Sequence, residues 1–87
     1  MKDKEAYATI RRKTPYGYEY LSIAPEDYRL MATNDARWGN AIKFYHLQAA
    51  VNMLNYFESS GCLSRSKLDC DRWEVGLVYL EKEGGVK

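Results

Sequence analysis

The sequence predicts an α+β domain in which an antiparallel sheet of three to four strands carries one amphipathic helix on a single face. Residues 41–61 support the helix, because their apolar side chains recur at spacings of three and four. Residues 6–12 and 18–23 support the sheet, because both segments are rich in strand-forming residues and flank a Pro-Tyr-Gly turn. The predicted element order is β-β-(β)-α-β, with a short third strand before the helix.

The length and charge of the chain limit its organisation. Its 87 residues are enough for one small apolar core and too few for two. We therefore predict a single domain over residues 1–87, with flexible termini at 1–4 and at the charged, glycine-containing 82–87. Thirteen basic residues against twelve acidic ones give a net charge of +1. This balance excludes both whole-chain attraction to DNA and an acidic mimic of nucleic acid.

Hydropathy indicates no membrane partner. The first residues show no basic segment followed by an apolar run, and no stretch approaches the about 20 apolar residues of a membrane span. We expect a cytoplasmic protein. In that compartment Cys62 and Cys70 are expected to be reduced thiols.

The predicted hairpin has two chemically different faces, because alternate residues of a strand point to opposite sides of a sheet. The aliphatic set is expected to meet the helix and consists of Ala6, Ala8, Ile10, Leu21 and Ile23. The opposite set is rich in tyrosine and consists of Tyr7, Thr9, Arg11, Tyr18, Tyr20 and Ser22. A single helix covers one face only, so the tyrosines are expected on the uncovered face.

The sequence predicts where the helix ends more clearly than where it begins. The apolar residues that share one helical face are Phe44, Leu47, Ala50, Val51, Leu54 and Phe57. Gly61 follows them and can adopt the left-handed conformation that ends a helix. At the other end, either Asn40 caps a helix that begins at Ala41, or the helix begins near His46 after a short extended or turn segment.

Three further segments complete the predicted order. Residues 28–32 form the short third strand, which a turn at 33–35 ends. Residues 62–72 are polar and interrupted by serines, which is typical of a connection. Residues 73–80 alternate and predict a final, mostly buried strand in which Gly76 would form a β-bulge.

The chain contains few residues suited to catalysis. His46 is the only histidine, and no serine or cysteine lies at a recognised spacing from it. Cys62 and Cys70 match no nucleophile signature, and a zinc site would need two ligands beyond these thiols. The glycines are scattered and form no phosphate-binding loop. We predict a protein that is not an enzyme and that uses no metal and no cofactor.

The hairpin carries the candidate binding residues. They are Tyr7, Arg11, Arg12, Lys13, Tyr16, Tyr18 and Tyr20. Cations interleaved with aromatic rings can hold a single nucleic-acid strand by phosphate contacts and base stacking. Tyrosine and arginine are equally enriched at protein interfaces, and the low net charge favours a protein partner. The alternative without function is that tyrosines simply favour strands.

The loop 64–72, with basic and acidic residues close together, is a second candidate surface, although such mixed charges are typical of a solvated loop. The outer face of the helix is a third. Gln48, Asn52 and Asn55 fall on this face and are uncharged. An uncharged polar face would suit a homodimer or another partner contact, although helices rich in amides also occur without such a role.

One pattern that spans about half of the chain resembles a known class of small proteins. It consists of Trp38-x-x-Ala41-x-x-Phe44-x-x-x-x-Ala49-Ala50, preceded by the tyrosine-rich hairpin and followed by Trp73-x-Val75. This plan resembles that of very small proteins encoded by bacteriophages and mobile elements, several anti-CRISPR proteins among them. The pattern concerns packing and contains no functional residues to carry over. The resemblance implies a small host-directed inhibitor without naming its target.

Together these patterns give the expected function. The chain is expected to bind a host protein or ribonucleoprotein complex of a CRISPR-Cas-like defence system in the host cytoplasm, and to inhibit it by occluding a functional surface. The alternative is a nucleic-acid-binding accessory protein that uses the basic and aromatic hairpin.

Overall fold

The computed structural model describes residues 4–66, 68 and 72–81, and it confirms the α+β class. The strands are β1 (Lys4–Thr14), β2 (Gly17–Ile23), β3 (Leu30–Thr33), β4 (Lys43–Phe44) and β5 (Glu74–Glu81). The helices are α1 (Leu47–Ser60) and the short α2 (Cys62–Arg65), which opens the segment predicted as a connection. Of the termini expected to be flexible, 1–3 and 82–87 lie outside the described residues, and Lys4 is the first residue of β1.

The sheet is antiparallel and is built around β1, which pairs with β2, β4 and β5. Strands β1 and β2 pair from the turn back to Arg11 and Tyr20, and beyond this point they separate. Segment 40–44 lies in the gap: β4 pairs with β1 around Ala8, while the Ile42 N–H donates to a β2 carbonyl over 2.9 Å. The chain just before α1 therefore joins the two halves of the splayed hairpin.

The helix begins at Leu47, with His46 in extended conformation as its N-terminal cap residue. Of the two predicted starts, the one near His46 is confirmed and the one at Ala41 is wrong. The reason is that 40–44 is occupied by sheet pairing and cannot be helical as well. The helix ends as predicted, with Gly61 in the left-handed conformation at φ 79°.

The main core lies between the sheet and α1. Its buried residues are Ile10, Leu21, Leu54, Leu63 and Trp73. Partly buried apolar side chains pack around them, including Leu30, Phe44, Phe57 and Val75. The expectation that the aliphatic side of the hairpin meets the helix is confirmed at Ile10 and Leu21. Ala6 and Ile23 share that side but are exposed, since both lie toward the outer ends of their strands.

The predicted apolar face of the helix is only partly buried. Ala50 and Leu54 are buried, and Val51 and Phe57 are half-buried. Leu47 is exposed although it belongs to the same face. Phe44, predicted as part of the helix face, packs on the core from β4 instead.

Strand β5 differs from the prediction at Gly76. Its register with β1 runs without interruption from Lys4 opposite Glu81 to Arg11 opposite Glu74, so the predicted bulge is absent. Gly76 instead leaves room for a side chain: a Cβ at this position would overlap Nε and Cζ of Arg11. The glycine thus allows the arginine to lie flat against the sheet.

Strand β5 is also less buried than predicted. Val75 packs on the core, whereas Leu77 and Tyr79, on the same side of the strand, are exposed. The third strand is shifted to Leu30–Thr33, and Tyr28, its predicted first residue, lies in the preceding turn with φ 60°.

Candidate binding surface on the tyrosine face

The side of the sheet opposite α1 carries most of the predicted binding residues, and we call it the tyrosine face. Residues directly opposite each other in an antiparallel pair point to the same side of the sheet. Arg11 is opposite Tyr20, and Lys13 is opposite Tyr18. Tyr7 lies on this face too, because it is four positions before Arg11 on β1 and residues an even number of positions apart point to the same side. The predicted segregation of tyrosines from the aliphatic set is therefore observed.

Arg11 is held in place by three neighbours. Its guanidinium carbon lies 4.1 Å from the centroid of the Tyr18 ring. Its Nε lies 3.3 Å from Oε2 of Glu74 on the adjacent strand, and its side chain passes over Gly76. A cation over an aromatic face is attracted by the ring quadrupole, and the carboxylate fixes its other side. The result is a fixed, planar and partly neutralised group beside a tyrosine that is 36% exposed.

Tyr16 stands at the tip of the β1–β2 hairpin and is 99% exposed. The turn beneath it is ordered by Thr14, whose Oγ1 donates to the Gly17 carbonyl over 2.7 Å and accepts from the Tyr16 N–H over 3.2 Å. Gly17 adopts φ 119°, a conformation that side-chain-bearing residues rarely adopt. The exposed ring is thus carried on a defined turn.

Arg12 does not belong to this surface. It lies opposite Glu19 on the helix side of the sheet, where its Nη2 is 2.9 Å from Oε1 of Glu19. Its guanidinium carbon is 4.7 Å from the centroid of the Trp73 ring, and Nη1 donates to the Leu68 carbonyl over 3.4 Å. The side chain is therefore part of the packing beneath the sheet. Because successive strand residues point to opposite sides of a sheet, Arg12 would be expected on the side opposite to Arg11.

Tyr45 extends the tyrosine face beyond the predicted residues. Its ring centroid lies 5.4 Å from that of Tyr7 at an interplanar angle of 49°, and the Tyr7 hydroxyl donates to Oε1 of Glu5 over 2.7 Å. The pair borders an open cleft of about 890 Å³. Its charged lining residues are Lys4, Arg37, Lys43, Glu5 and Glu81. The near balance of charge gives the cleft no strong preference for an anion.

The side chain of Lys43 holds segment 36–41 over part of the tyrosine face by hydrogen bonds. Lys43 is opposite Thr9 and so points to this side of the sheet. Its ammonium donates to three backbone carbonyls, those of Ala36 (3.1 Å), Trp38 (3.0 Å) and Ala41 (3.1 Å). Segment 36–41 therefore folds back over the sheet, and Thr9 and Ser22 are fully buried. The expectation of a wholly uncovered face is wrong for this reason: the face is open around Arg11 and Tyr18 and closed around Thr9.

The same loop begins with a charged turn. Oδ1 of Asp35 accepts the backbone N–H of Arg37 over 2.9 Å and its Nε over 3.3 Å. These hydrogen bonds, the backbone one first, hold the pKa of the Asp35 carboxyl below its ordinary value of 3.8. The Arg37 side chain is largely exposed and that of Asp35 about half exposed, so the turn is a surface feature beside the cleft.

The described residues considered in the sequence for metal binding and catalysis, His46 and Cys62, lie apart from the tyrosine face. Within it, no three His, Cys, Asp or Glu side chains lie close enough together to hold a metal ion. His46 makes no side-chain capping hydrogen bond. Cys62 accepts from the Ser60 hydroxyl over 3.0 Å, and Cys70 lies outside the described residues.

The tyrosine face is therefore the best-defined candidate surface: it brings together Arg11, Lys13, Tyr18 and Tyr20, with Tyr16 at the hairpin tip. Tyr7 lies on the same side of the sheet but beyond the covered Thr9, next to Tyr45. None of the helices in residues 4–66, 68 and 72–81 has the length and apolar character needed to cross a membrane. No protein family, curated protein or solved structure matches this chain.

Proposed function

We propose that this protein is a non-enzymatic binding module whose tyrosine face attaches to a protein partner. The observation that carries the proposal is the fixed arrangement of Arg11 between Tyr18 and Glu74. Arginine and tyrosine dominate protein interfaces because they give large contact areas at low entropic cost. Here the ion pair and the ring contact already limit the motion of the arginine, so binding would sacrifice little additional freedom.

The proposed contact area extends along the hairpin. Tyr20 is half-buried beside Arg11, and Tyr16 projects from the tip. In most protein interfaces a few central residues contribute most of the binding energy. We expect Tyr20 to be such a central residue, with the more exposed tyrosines around it. Arg12 contributes to stability in this arrangement rather than to contact.

The finer proposal concerns the target. We propose a small phage-type inhibitor that occludes a functional surface of a host defence complex of the CRISPR-Cas kind. This step rests on the resemblance of the chain's layout to small phage and mobile-element proteins. A rigid hairpin that projects aromatic groups is suited to occlusion, because it needs no chemistry and no conformational change in the inhibitor.

Binding of a single nucleic-acid strand is the second candidate, and the distribution of charge disfavours it. The three successive hairpin cations do not form one patch: Arg12 points to the helix side, and Arg11 is paired with Glu74. Of these three cations, Lys13 alone lies on the tyrosine face without an acidic partner among the described residues. Phosphate binding depends on several accessible cations, so the surface supports protein contact better.

The test replaces two central rings, as Tyr18→Ala/Tyr20→Ala. Cross-strand contacts of this kind contribute only ~0.2–1 kcal/mol each, so the fold should be kept. If both rings are interface anchors, affinity should fall more than about a hundredfold. Binding would be measured on a panel of purified CRISPR-Cas effector complexes, and stability by thermal unfolding of the same samples. Tyr28→Ala/Tyr56→Ala is the matched control, because both of these tyrosines are exposed away from the proposed contact area.

Salt dependence separates the two candidates. A fluorescent single-stranded oligonucleotide should bind weakly at most, and protein binding should change little as salt rises. Tight oligonucleotide binding that weakens steeply with salt would support the nucleic-acid alternative. Undiminished protein binding by a folded Tyr18→Ala/Tyr20→Ala variant would contradict the proposed surface.

A further inference from the structure

Strand β5 forms an edge of the sheet. It pairs with β1 along all of Glu74–Glu81, and no other strand in the described part of the chain pairs with it. At the opposite edge, β3 spans only Leu30–Thr33. Edge strands usually carry a protective feature such as a proline, a lysine or a bulge, and β5 has none of these. Its free edge is therefore long and able to accept a further strand.

The side chains along this edge are apolar and uncovered. Leu77 is opposite Ala8 and Tyr79 is opposite Ala6, so both lie on the helix side of the sheet. Their neighbour on that side, Val75, packs on the core, but Leu77 is 46% and Tyr79 65% exposed. The apolar side of the β1–β5 pair thus continues past the region that the core covers.

We propose that β5 pairs with β5 of a second copy of this chain, antiparallel and about a two-fold axis at Val78. In this register Leu77 lies opposite Tyr79 of the partner subunit, and Tyr79 lies opposite Leu77 of the partner subunit. Each exposed leucine is then covered by a tyrosine of the other copy, and each exposed tyrosine by a leucine. Such aromatic–aliphatic pairs stabilise antiparallel strands. A strand of a different protein would need apolar side chains at the two positions opposite Leu77 and Tyr79, whereas a second copy of this chain already has them.

The charges on β5 are compatible with this register. Its two glutamates, Glu74 and Glu81, are not placed opposite each other, because Glu81 faces Val75 of the partner subunit. A shift by one residue in either direction would place Leu77 on the wrong side of the partner's sheet, and in one of the two directions it would also oppose the two glutamates. The alternation of the strand therefore excludes registers that are slipped by one residue.

The proposed dimer has a geometric consequence for the tyrosine face. The two-fold axis of an antiparallel strand pair is perpendicular to the sheet, so both copies present the same face to the same side. The two tyrosine faces would form one continuous surface, and both α1 helices would lie on the other side. This contact uses β5 and leaves free the amide-bearing helix face of Gln48, Asn52 and Asn55, where the sequence placed a homodimer contact.

The test uses the prediction that residue 77 of one copy lies opposite residue 79 of the other. A basic variant carries Leu77→Lys and Tyr79→Lys, and an acidic variant carries Leu77→Glu and Tyr79→Glu. Like charges directly opposed across strands are destabilising, so each variant alone should dissociate with a constant raised more than about tenfold. A mixture of the two should form a one-to-one heterodimer. Sedimentation velocity and native mass spectrometry would measure both effects.

A matched control carries Met53→Lys and Tyr56→Lys on α1. These side chains are also large, apolar and exposed, with Tyr56 at 59%, and the change in charge is the same. This variant should dimerise like the natural sequence. Loss of the dimer in the control with retention in both β5 variants would overturn the proposal and move the contact to the helix.

Hydrogen exchange on the natural sequence keeps the proposal testable if the charged variants fail to fold. Amide protection within β5 should increase with protein concentration, since new strand pairing protects the outward N–H groups. A monomer with protection independent of concentration would overturn the proposal. Failure of the mixed charged variants to associate, while both remain folded, would do the same.

Discussion

The two faces of the sheet both bury side chains, but by different physical means. On the helix side, burial comes from apolar packing around Ile10 and Leu54. On the tyrosine face, Thr9 and Ser22 are equally buried, beneath a loop that the Lys43 ammonium holds through three carbonyls. Apolar packing is distributed over many contacts, whereas the loop is held by a few hydrogen bonds, those of the Lys43 ammonium and those between Asn40 and Ile23. The first arrangement supports the fold, and the second forms the boundary of the open part of the tyrosine face.

Arg11 and Arg12 are adjacent in the chain but lie on opposite faces of the sheet. Arg11 lies flat on the tyrosine face beside Tyr18, with 22% of its side chain exposed. Arg12, the next residue, stacks against Trp73 on the helix side and is paired with Glu19. Identical side chains therefore have different roles because a strand turns successive residues to opposite sides.

The largest expected effect is on the helix side. Leu54→Ala should lower the free energy of unfolding by ~2–5 kcal/mol, through lost burial and the cavity that remains. The control is Leu47→Ala, the same substitution at an exposed position of the same helix, and it should cost less than about 1 kcal/mol. Urea denaturation measures both. Equal costs would mean that the helix packs through a different face.

A smaller effect is expected from the lysine that fastens the loop. Lys43→Met keeps the length of the side chain but removes the donor for three carbonyls, and it should cost about 1–3 kcal/mol. The control is Lys13→Met on the same face, which should be close to neutral because Lys13 is exposed. Amide exchange should accelerate at Ile23 and Ile42, which pair with the loop end and with β2. Unchanged exchange at these amides would contradict the anchoring role.

The two arginines provide the third test. Arg12→Ala should lower stability by about 1–2 kcal/mol, because it removes a largely buried cation from Trp73 and leaves Glu19 unpaired. Arg11→Ala should cost only about 0–1 kcal/mol, since its partner Glu74 is half-exposed. Thermal unfolding compares them. Partner binding should show the reverse order, with Arg11→Ala the more harmful.

The smallest effect concerns pH and the loop turn at Asp35. Its pKa is lowered in the folded protein, chiefly by the Arg37 backbone N–H and then by the Arg37 side chain. The stabilisation is therefore present above the ordinary pKa and is lost as pH falls through the folded one. In an NMR titration, Arg37→Gln should raise the pKa of Asp35 only part of the way, because the backbone hydrogen bond remains. A complete return to the ordinary value would mean that the side chain dominates.

Much of the fold and part of the candidate site follow from the sequence alone. The period of two separates Ile10 and Leu21 from Arg11 and Tyr18, and the period near 3.6 identifies Leu54 as buried. Gly61 marks the end of the helix. These features depend on local backbone geometry, which repeats with fixed periods and can be recognised without knowing what lies nearby.

The tertiary structure alone decided the remaining features. Segment 40–44 became a sheet connection instead of a helical turn because the hairpin separates and offers free backbone partners on both sides. Gly76 makes room for Arg11 rather than forming a bulge, and Leu77 remains exposed because the packed core ends near Val75. Each of these outcomes is set by contacts between residues far apart in the chain. No local period encodes such contacts, so they are fixed only when the strands and the helix pack together.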